Sequence, residues 1–387
     1  MTASPAPLGL VLRAPDGAAA PVRIWGLAPE ERLLRALQRA GCRDSSVLDP
    51  QSAPPSQAEG DAILCRGDVI LDERIVGALA EAGDMLVLAE DLGPVAVRIG
   101  SDRVAEAIEV LRGQREPGAL AIPTRTPAEM APAYVAKLRR WEPAYAYAAR
   151  PELVGEVERR TFAASYKGVT DLVTKWLWPR PAAWATRFCA ERGISPNAVT
   201  IASWLLAIAA IALFARGAFG AGLIAAWAMT FLDTVDGKLA RVTLTSSRLG
   251  DVLDHGLDLL HPPFWYFAWG VGIAAAGGLA TGIAVVGYVV GRLLEGVFLA
   301  TFKIETHSWQ PVDAMFRTIT ARRNPNLILL SVGALGGRPD LGLGMVAGWT
   351  ALSIGFHTLR LLQAFLARQR GAAIVAWDEA QHERAAG

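Results

Sequence analysis

Cysteine and histidine are scarce in this chain, whose 387 residues include three cysteines and five histidines. The positions Cys42, Cys65 and Cys189 match no zinc or redox spacing, and an odd number argues against a disulfide framework. This usage fits a reducing compartment. The N-terminal sequence MTASPAPLGLVLRAPDG also lacks a basic start followed by a long apolar run. We therefore expect no cleaved signal peptide.

Charge is limited in amount and uneven in position. Charged residues make up 19% of the chain and hydrophobic residues 52%, and the net charge is +1. A nearly neutral chain is not expected to bind nucleic acid. Charges are frequent before about residue 195 and sparse after it. The sequence therefore predicts a soluble part followed by a membrane part, here an α-helical integral membrane bundle.

The soluble part, residues 1–125, alternates between strand and helix patterns. Helical spacing of apolar residues predicts helices, and short apolar runs rich in Val, Ile and Leu predict strands. This order predicts an α/β domain with a parallel sheet. The predicted strands cover 8–14, 62–72, 84–90 and 93–99; the predicted helices cover 28–41 and 73–83, and the predicted loop covers 50–61.

A helical linker, residues 126–197, is expected to connect the two parts. Its segment 170–192 places Trp176, Trp178 and Trp184 among lysine and arginine residues. Tryptophan and basic residues at this density are typical of an amphipathic helix in the headgroup layer of a membrane. An ordinary packing helix is the alternative.

The membrane part, residues 198–370, contains six apolar segments, several of them near the roughly 20 residues that a helical span needs. Lysine and arginine cluster on one side of such a six-span arrangement, which predicts that this side is cytoplasmic. We expect a bacterial inner-membrane protein with its N-terminal domain in the cytoplasm. The predicted spans are 198–219, 220–232 with its acidic continuation, 255–276 starting nearer Leu249, 277–302, 325–337 and 344–366.

The stretch FLDTVDGKLARVTLTSSRLGDVLDHGLD places acids at regular helical spacing between apolar segments. Asp233 and Asp236 share one helix face, and Asp254 and Asp258 share another, whereas Asp251 falls outside the pattern. Four carboxylates near hydrocarbon repel one another unless a hard cation compensates them, most suitably Mg²⁺ or Mn²⁺. The stretch also holds residues suited to a phosphate or nucleotide, namely Gly237 and Gly250, which allow close backbone approach, and Arg241, which pairs with phosphate.

This stretch resembles the signature of the CDP-alcohol phosphotransferases, and the resemblance covers roughly residues 165–368. ISPNAVT, residues 194–200, is similar to the family's conserved segment before the first span. The family implies transfer of a phosphoalcohol or phosphatidyl group from a CDP-linked donor to a hydroxyl, with release of CMP. It also implies a two-ion metal site and a homodimer. The implied metal ligands are Asp233, Asp236, Asp254 and Asp258, with Asp258 also the catalytic base, and the implied nucleotide-binding residues are Gly237, Ala240, Arg241 and Gly250.

The acceptor, a lipid or a polyol or its phosphate, has weaker candidates. Arg292 lies within the fourth predicted span and is a candidate for an acceptor phosphate, because intramembrane charge is usually functional. A mutually neutralising pair with Glu295 is equally compatible with the sequence. Arg317 lies in the loop 303–326 and either lines the cytoplasmic mouth or only sets topology. His357 and Arg360 are further candidates.

The soluble domain resembles sugar-phosphate nucleotidyltransferases in layout, and it is interpreted as a degenerate relative. Such enzymes open with a glycine-rich loop, whereas here Gly17 is the only glycine in the segment 14–23. Arg23 and Asp68 are possible replacements for the basic and the metal-binding residue. A bifunctional enzyme that also makes its CDP-alcohol, such as CDP-inositol, is therefore one alternative. A six-span cation transporter is another, with its acids forming an ion pathway.

Overall fold

The computed structural model describes residues 6–13, 22–49, 60–135, 138, 140–246 and 248–377. The side chains of residues 247–255, 257 and 258 lie outside this description, although their helix is included. The chain forms two compact units. Unit 1 contains the described residues up to Tyr166, together with Ala190–Gly193 and Arg241–Thr245. Unit 2 contains Lys167–Cys189, Ile194–Ala240 and the residues from Ser246 onward.

Unit 1 is an α/β domain followed by short strands and one further helix. Its strands are β1 Leu8–Leu12, β2 Arg43–Leu48, β3 Asp61–Arg66, β4 Val69–Leu71, β5 Met85–Ala89, β6 Gly93–Gly100, β7 Thr124–Arg125, β8 Tyr134–Val135, β9 Arg140–Trp141 and β10 Ala146–Ala148. Its helices are α1 Pro29–Arg39, α2 Glu73–Glu81, α3 Val104–Leu111, α4 Pro127–Met130 and α5 Val154–Ala164.

The main sheet of unit 1 has six strands in the order β2-β1-β3-β6-β5-β7. The predicted parallel sheet is only partly present. The pairs β1–β2, β1–β3 and β5–β7 are parallel, whereas β6 runs antiparallel to both β3 and β5, so the sheet is mixed. The physical reason is the connection of β5 to β6, which spans only residues 90–92 and is too short for a parallel crossover. The strand β2 and helix α3 were also not predicted. Most of the predicted loop 50–61 lies outside the described residues.

Two hydrophobic layers lie on the two faces of this sheet. Successive strand residues point to opposite faces, so Val11, Ile63 and Cys65 pack with α1 and α2. Leu10 and Leu64 pack on the other face with α3. This arrangement gives unit 1 a three-layer α/β/α core.

Unit 2 is helical. A π-helical turn, Val173–Leu177, precedes α6 Pro179–Glu191, α7 Pro196–Ala215, α8 Phe219–Val242, α9 Arg248–Gly272, α10 Leu279–Phe302, α11 Pro311–Arg317, α12 Arg323–Leu335 and α13 Pro339–Gln369. The helices α7, α8, α9, α10, α12 and α13 lie where the six spans are predicted. The last residues of α6 and α8 belong to unit 1.

Two described helices, Pro196–Ala215 and Leu279–Phe302, are long and apolar enough to cross a membrane by length and composition. Only 33% of the apolar stretch of Pro196–Ala215, and 22% of that of Leu279–Phe302, is buried inside the protein. A core helix of a soluble protein would be mostly buried, so their exposed apolar faces suit contact with lipid. That all six helices cross a membrane stays a prediction.

The core of unit 2 is formed where these helices pack together. Phe214 in α7 contacts Trp265 and Trp269 in α9, and Tyr266 contacts Tyr288 in α10. The helices α12 and α13 approach most closely at Gly333, where a Cβ atom would overlap the Cα of Gly342. Small residues at such a crossing let two helix backbones come together.

The predicted amphipathic helix over 170–192 is divided in the structure. The π-helical turn ends before Pro179, which starts α6, because proline suits the first position of a helix better than its interior. Trp176 and Trp184 are 66% and 70% exposed, whereas Trp178 packs against Trp227 and Phe231. Two of the three tryptophans are therefore available to a membrane surface, and the third is a packing residue.

Candidate active site

Two predicted metal ligands lie on one face of α8, near its carboxyl end. Asp236 is buried, and its Oδ2 accepts a hydrogen bond of 2.6 Å from the hydroxyl of Thr200 in α7. Its Oδ1 also accepts from the backbone N–H of Gly237. Thr200 belongs to the ISPNAVT segment, so the structure connects that segment directly to the acidic motif. These hydrogen bonds stabilise the charged carboxylate.

Asp233 is held by an arginine from a distant part of the sequence. Arg323, the first residue of α12, donates to Asp233 Oδ2 at 2.6 Å. Both side chains are largely buried. A buried carboxylate needs a compensating charge, and Arg323 supplies it in this structure.

The predicted nucleotide-binding residues of α8 follow the two acids along the helix. Gly237 and Ala240 are half-buried and belong to unit 2. The carbonyl oxygen of Ala240 accepts a hydrogen bond from the hydroxyl of Ser246 at 3.4 Å. Arg241 belongs to unit 1, where its guanidinium donates to the carbonyl oxygen of Ser165 at 3.2 Å.

The second half of the motif lies on α9. The structure places Gly250, Asp254 and Asp258 on this helix at spacings of four residues. Their side chains lie outside the described part of the chain, so a metal site formed by all four acids stays a prediction. Among the described residues, no group of three or more histidine, cysteine or acidic side chains is placed to hold a metal ion.

The donor set nevertheless fits a divalent cation. Asp233 and Asp236 lie three residues apart on one helix and offer only carboxylate oxygens, the ligands that Mg²⁺ and Mn²⁺ prefer. Thr200 donates to Asp236 and Arg323 pairs with Asp233. That these acids hold a metal ion stays a prediction.

A second polar cluster surrounds Glu295 in α10. Its Oε2 accepts from both Arg292 and Arg322, and its Oε1 lies 3.6 Å from Nε2 of His357. The sequence left two roles open for Arg292, a neutralising pair with Glu295 and a ligand of an acceptor phosphate, and the structure is compatible with both. The arginine is paired with Glu295, and it also lines a small pocket together with Arg322 and His357.

Arg317 lies beside this cluster, at the end of α11. Its Nε and Nη1 are buried and have no hydrogen-bond partner among the described residues. Burial and the charge of Arg322 lower the pKa of Arg317 to about 9, against the opposing effect of Asp171 and Glu295. The guanidinium therefore stays mostly charged at neutral pH, with donor capacity to spare for an anion.

Asp171 anchors the segment before α6 to this region. Its carboxylate accepts from Thr174 and from Asn324 Nδ2, the latter at 2.9 Å. Burial alone would raise the pKa of Asp171, but Arg317, Asn324 and Thr174 together lower it below its ordinary value. The carboxylate is thus ionised and fully engaged in holding neighbouring groups.

Arg360 is committed to structural contacts. Its Nε donates to Asp313 Oδ1 at 2.6 Å and its Nη2 to Asp313 Oδ2 at 2.8 Å. The guanidinium also lies over the ring of Trp309, 4.3 Å from its centroid. These contacts fasten the segment between α10 and α12 to α13, so Arg360 is an anchor rather than an available phosphate ligand.

The candidates in unit 1 give little support for a second active site. Asp68 forms a two-point ion pair with the neighbouring Arg66, at 2.9 and 2.6 Å. Arg23 donates to the carbonyl oxygen of Gly26. Gly17 lies outside the described residues.

Arg322 and Arg323 lie in the loop 303–326, for which the sequence leaves open whether its arginines line the cytoplasmic mouth or only set topology. The sequence did contain an indication that these arginines have acidic partners. An arginine at the start of a helix is repelled by the helix dipole and needs a compensating carboxylate. For Arg323 the partner is Asp233, and for Arg322 it is Glu295. The hydrogen bond of Thr200 to Asp236 joins residues 36 apart, and no local pattern indicates it.

Comparison with known families agrees with this site. The profile of the CDP-alcohol phosphatidyltransferase family matches residues 193–356, which include the whole ISPNAVT segment and the whole acidic motif. This region of the chain is therefore similar to the CDP-alcohol phosphatidyltransferase family. A search of curated individual proteins finds no significant match.

Proposed function

We propose that this protein transfers a phosphoalcohol or phosphatidyl group from a CDP-linked donor to a hydroxyl acceptor, releasing CMP, in phospholipid biosynthesis. The observation that carries the proposal is the complete acidic motif, residues 233–258, inside the matched family domain. The buried, hydrogen-bonded state of Asp236 and the charge-compensated state of Asp233 support it.

Each motif residue has a chemical role in the proposal. A bound Mg²⁺ or Mn²⁺ pair would supply positive charge to the diphosphate and to the departing CMP. Asp233, Asp236 and Asp254 would hold these ions. Asp258 would share in this and accept the proton of the attacking hydroxyl.

The nucleotide would bind beside these acids. Gly237, Ala240 and Gly250 have small or absent side chains, which leaves room for the CDP moiety against the helix backbones. Arg241 would pair with a phosphate, for which a planar guanidinium is well suited.

The proposed acceptor site is the basic cluster around Glu295. Three cations, Arg292, Arg317 and Arg322, face two carboxylates, Glu295 and Asp171, which leaves positive charge for an anionic group. A phosphate-bearing polyol or lipid headgroup fits that excess, because charge-assisted hydrogen bonds to phosphate are strong.

The proposed setting is a bacterial inner membrane, crossed by the six helices α7, α8, α9, α10, α12 and α13. The exposed apolar faces of α7 and α10 support this placement. Basic residues flank the ends of these helices on one side of the predicted topology, which we assign to the cytoplasm. The motif and unit 1 then face the cytoplasm, and a homodimer is the proposed assembly.

The direct test is to incubate the purified protein with Mn²⁺ or Mg²⁺ and a panel of CDP donors and hydroxyl acceptors. Release of CMP and a lipid product of the corresponding mass are expected, and chelation with EDTA should stop both. Absence of CMP release from every donor would contradict the proposal.

A single substitution tests the base assignment. Asp258→Asn is expected to abolish CMP release while binding of the donor persists. A variant that turns over but no longer binds donor would contradict the role of Asp258 as base.

For the acceptor site, Arg317→Met is expected to raise the KM for a phosphorylated acceptor with little change in the KM for the donor. Arg338→Met is the matched control, because Arg338 is exposed and pairs with Asp340. An unchanged acceptor KM in Arg317→Met would exclude Arg317 from the site.

A further inference from the structure

A short piece of the acidic motif is part of the hydrophobic core of unit 1. Residues Arg241–Thr245 lie between the two halves of the motif in sequence, yet they belong to unit 1. Leu244 is 8% exposed and packs in the same cluster as Leu33 and Leu37 of α1. We call residues 241–245 the motif loop.

The backbone of the motif loop is strained at its centre. Leu244 has a φ of 55°, in the left-handed region that residues with a β-carbon rarely adopt. Such a conformation persists only where the surroundings enforce it. The packing of the Leu244 side chain in the core supplies that constraint.

Two arginines of α1 bind the backbone of the motif loop. Arg32 Nη1 donates to the carbonyl oxygen of Val242 at 2.6 Å, and Arg35 Nη1 donates to that of Thr243 at 2.7 Å. Val242 is the last residue of α8, where carbonyl groups have no partner within the helix. Cations at this end also complement the helix dipole.

The burial of Arg32 is costly without these contacts. The Arg32 side chain is buried in unit 1, and this burial lowers the pKa of its guanidinium below the ordinary value. An arginine is retained in such a place when its hydrogen bonds are satisfied. The carbonyl of Val242 provides one of them, at a short distance.

We propose that unit 1 holds the motif loop through Arg32, Arg35 and Leu244 and thereby fixes Arg241, the motif residue that belongs to unit 1, for the nucleotide. This inference rests on the proposed function for the role of Arg241. The inference gives unit 1 a structural role that requires no catalytic activity in this unit.

The test uses the full-length protein in lipid nanodiscs with the variants Arg35→Ala and Leu244→Gly. Hydrogen exchange of peptides covering residues 238–246 is expected to accelerate about tenfold or more, the factor for losing a charged hydrogen bond. The Kd for CMP in the presence of Mg²⁺ is expected to rise by a similar factor. Glycine at position 244 also relieves the backbone strain, so faster exchange there reports the lost side-chain packing.

Glu31→Ala is the matched control. Arg35 Nη2 pairs with Glu31, so this variant removes the same ion pair and leaves the bond to the motif loop. Unchanged exchange in Arg35→Ala and Leu244→Gly, or equal acceleration in Glu31→Ala, would overturn the proposal. Failure of the wild type to bind CMP would count against the proposed function, whereas the exchange comparison would still decide whether unit 1 holds the loop.

Discussion

Arg323 at the start of α12 donates a hydrogen bond of 2.6 Å to Asp233 in α8, although 90 residues separate them in sequence. The pair joins the first acid of the motif to the helix that follows the basic cluster. It also shows that one motif carboxylate is charge-compensated within the protein itself.

Replacing Arg323 should leave a buried carboxylate without its cation. For Arg323→Met we expect a loss of about 3–5 kcal/mol in the free energy of unfolding when divalent cations are chelated. Mn²⁺ should restore part of the loss, because it supplies positive charge to the same carboxylate. Thermal unfolding with EDTA and with Mn²⁺ measures both effects.

The control for that experiment is Arg338→Met, which removes an exposed ion pair with Asp340. Exposed pairs contribute about 0–1 kcal/mol, so little change is expected. Equal destabilisation by both substitutions, or no rescue of Arg323→Met by Mn²⁺, would argue against the compensation of Asp233 by Arg323.

The hydroxyl of Thr200 should matter more than its shape. Thr200→Val keeps the side-chain volume and removes the 2.6 Å hydrogen bond to buried Asp236. The expected cost is about 1.5–3 kcal/mol, and the Mn²⁺ concentration for half-maximal CMP release should shift. Thr200→Ser retains a hydroxyl and should behave like the wild type. Identical Mn²⁺ curves for Thr200→Val and Thr200→Ser would show that the bond has no role at the site.

Asp171 should give unit 2 a defined sensitivity to acid. Its pKa in the folded protein lies below the ordinary value, because Arg317, Asn324 and Thr174 outweigh the effect of burial. A carboxyl group of this kind contributes stability above its unfolded pKa, about 3.9. That contribution is lost as the pH falls through the lower folded pKa.

The comparison is therefore between wild type and Asp171→Asn across about pH 3 to 6. The wild type should lose more stability on acidification, while Asp171→Asn should be less stable at neutral pH and show a shallower decline. Tryptophan fluorescence during thermal unfolding provides the measurement. Parallel pH profiles for the two proteins would contradict the assignment.

The close crossing of α12 and α13 should tolerate no side chain at Gly333. Gly333→Ala places a Cβ against the backbone of Gly342, and overpacking of this kind costs about 1–3 kcal/mol. Gly348→Ala in α13 is the matched control, since its Cβ would meet nothing within 4 Å. Thermal unfolding gives the melting temperatures of the two variants, and that of Gly333→Ala should be lower. Similar melting temperatures would show that α12 and α13 can move apart without loss of stability.

The sequence predicted those parts of the fold that local periodicity controls. Helices α7 to α10, α12 and α13 were predicted because long apolar segments and helical spacing are local properties. The turn between α8 and α9 and the shared face of Asp233 and Asp236 follow from the same spacing. The motif identified the family domain, which the match over residues 193–356 supports.

Other features depend on contacts between distant residues. The antiparallel β6 was missed because strand direction depends on the connection, and the pattern of apolar residues is the same for both directions. Helix α11 was not predicted, because its 7 residues are too few for an apolar period to stand out within the loop 303–326. The partners of Asp233 and Asp236 lie on other helices, so sequence spacing within α8 carried no information about them.

The membership of Leu244 in the core of unit 1 has a consequence for the order of synthesis. Unit 1 cannot complete its core when the ribosome has passed Tyr166, because one core side chain is still to be made. At roughly 5–20 residues per second, translation needs several seconds more to reach Leu244. During that interval α7 and most of α8 emerge first. The N-terminal domain is therefore the first part of the chain to be synthesised but finishes folding only after α7 and most of α8 have been made.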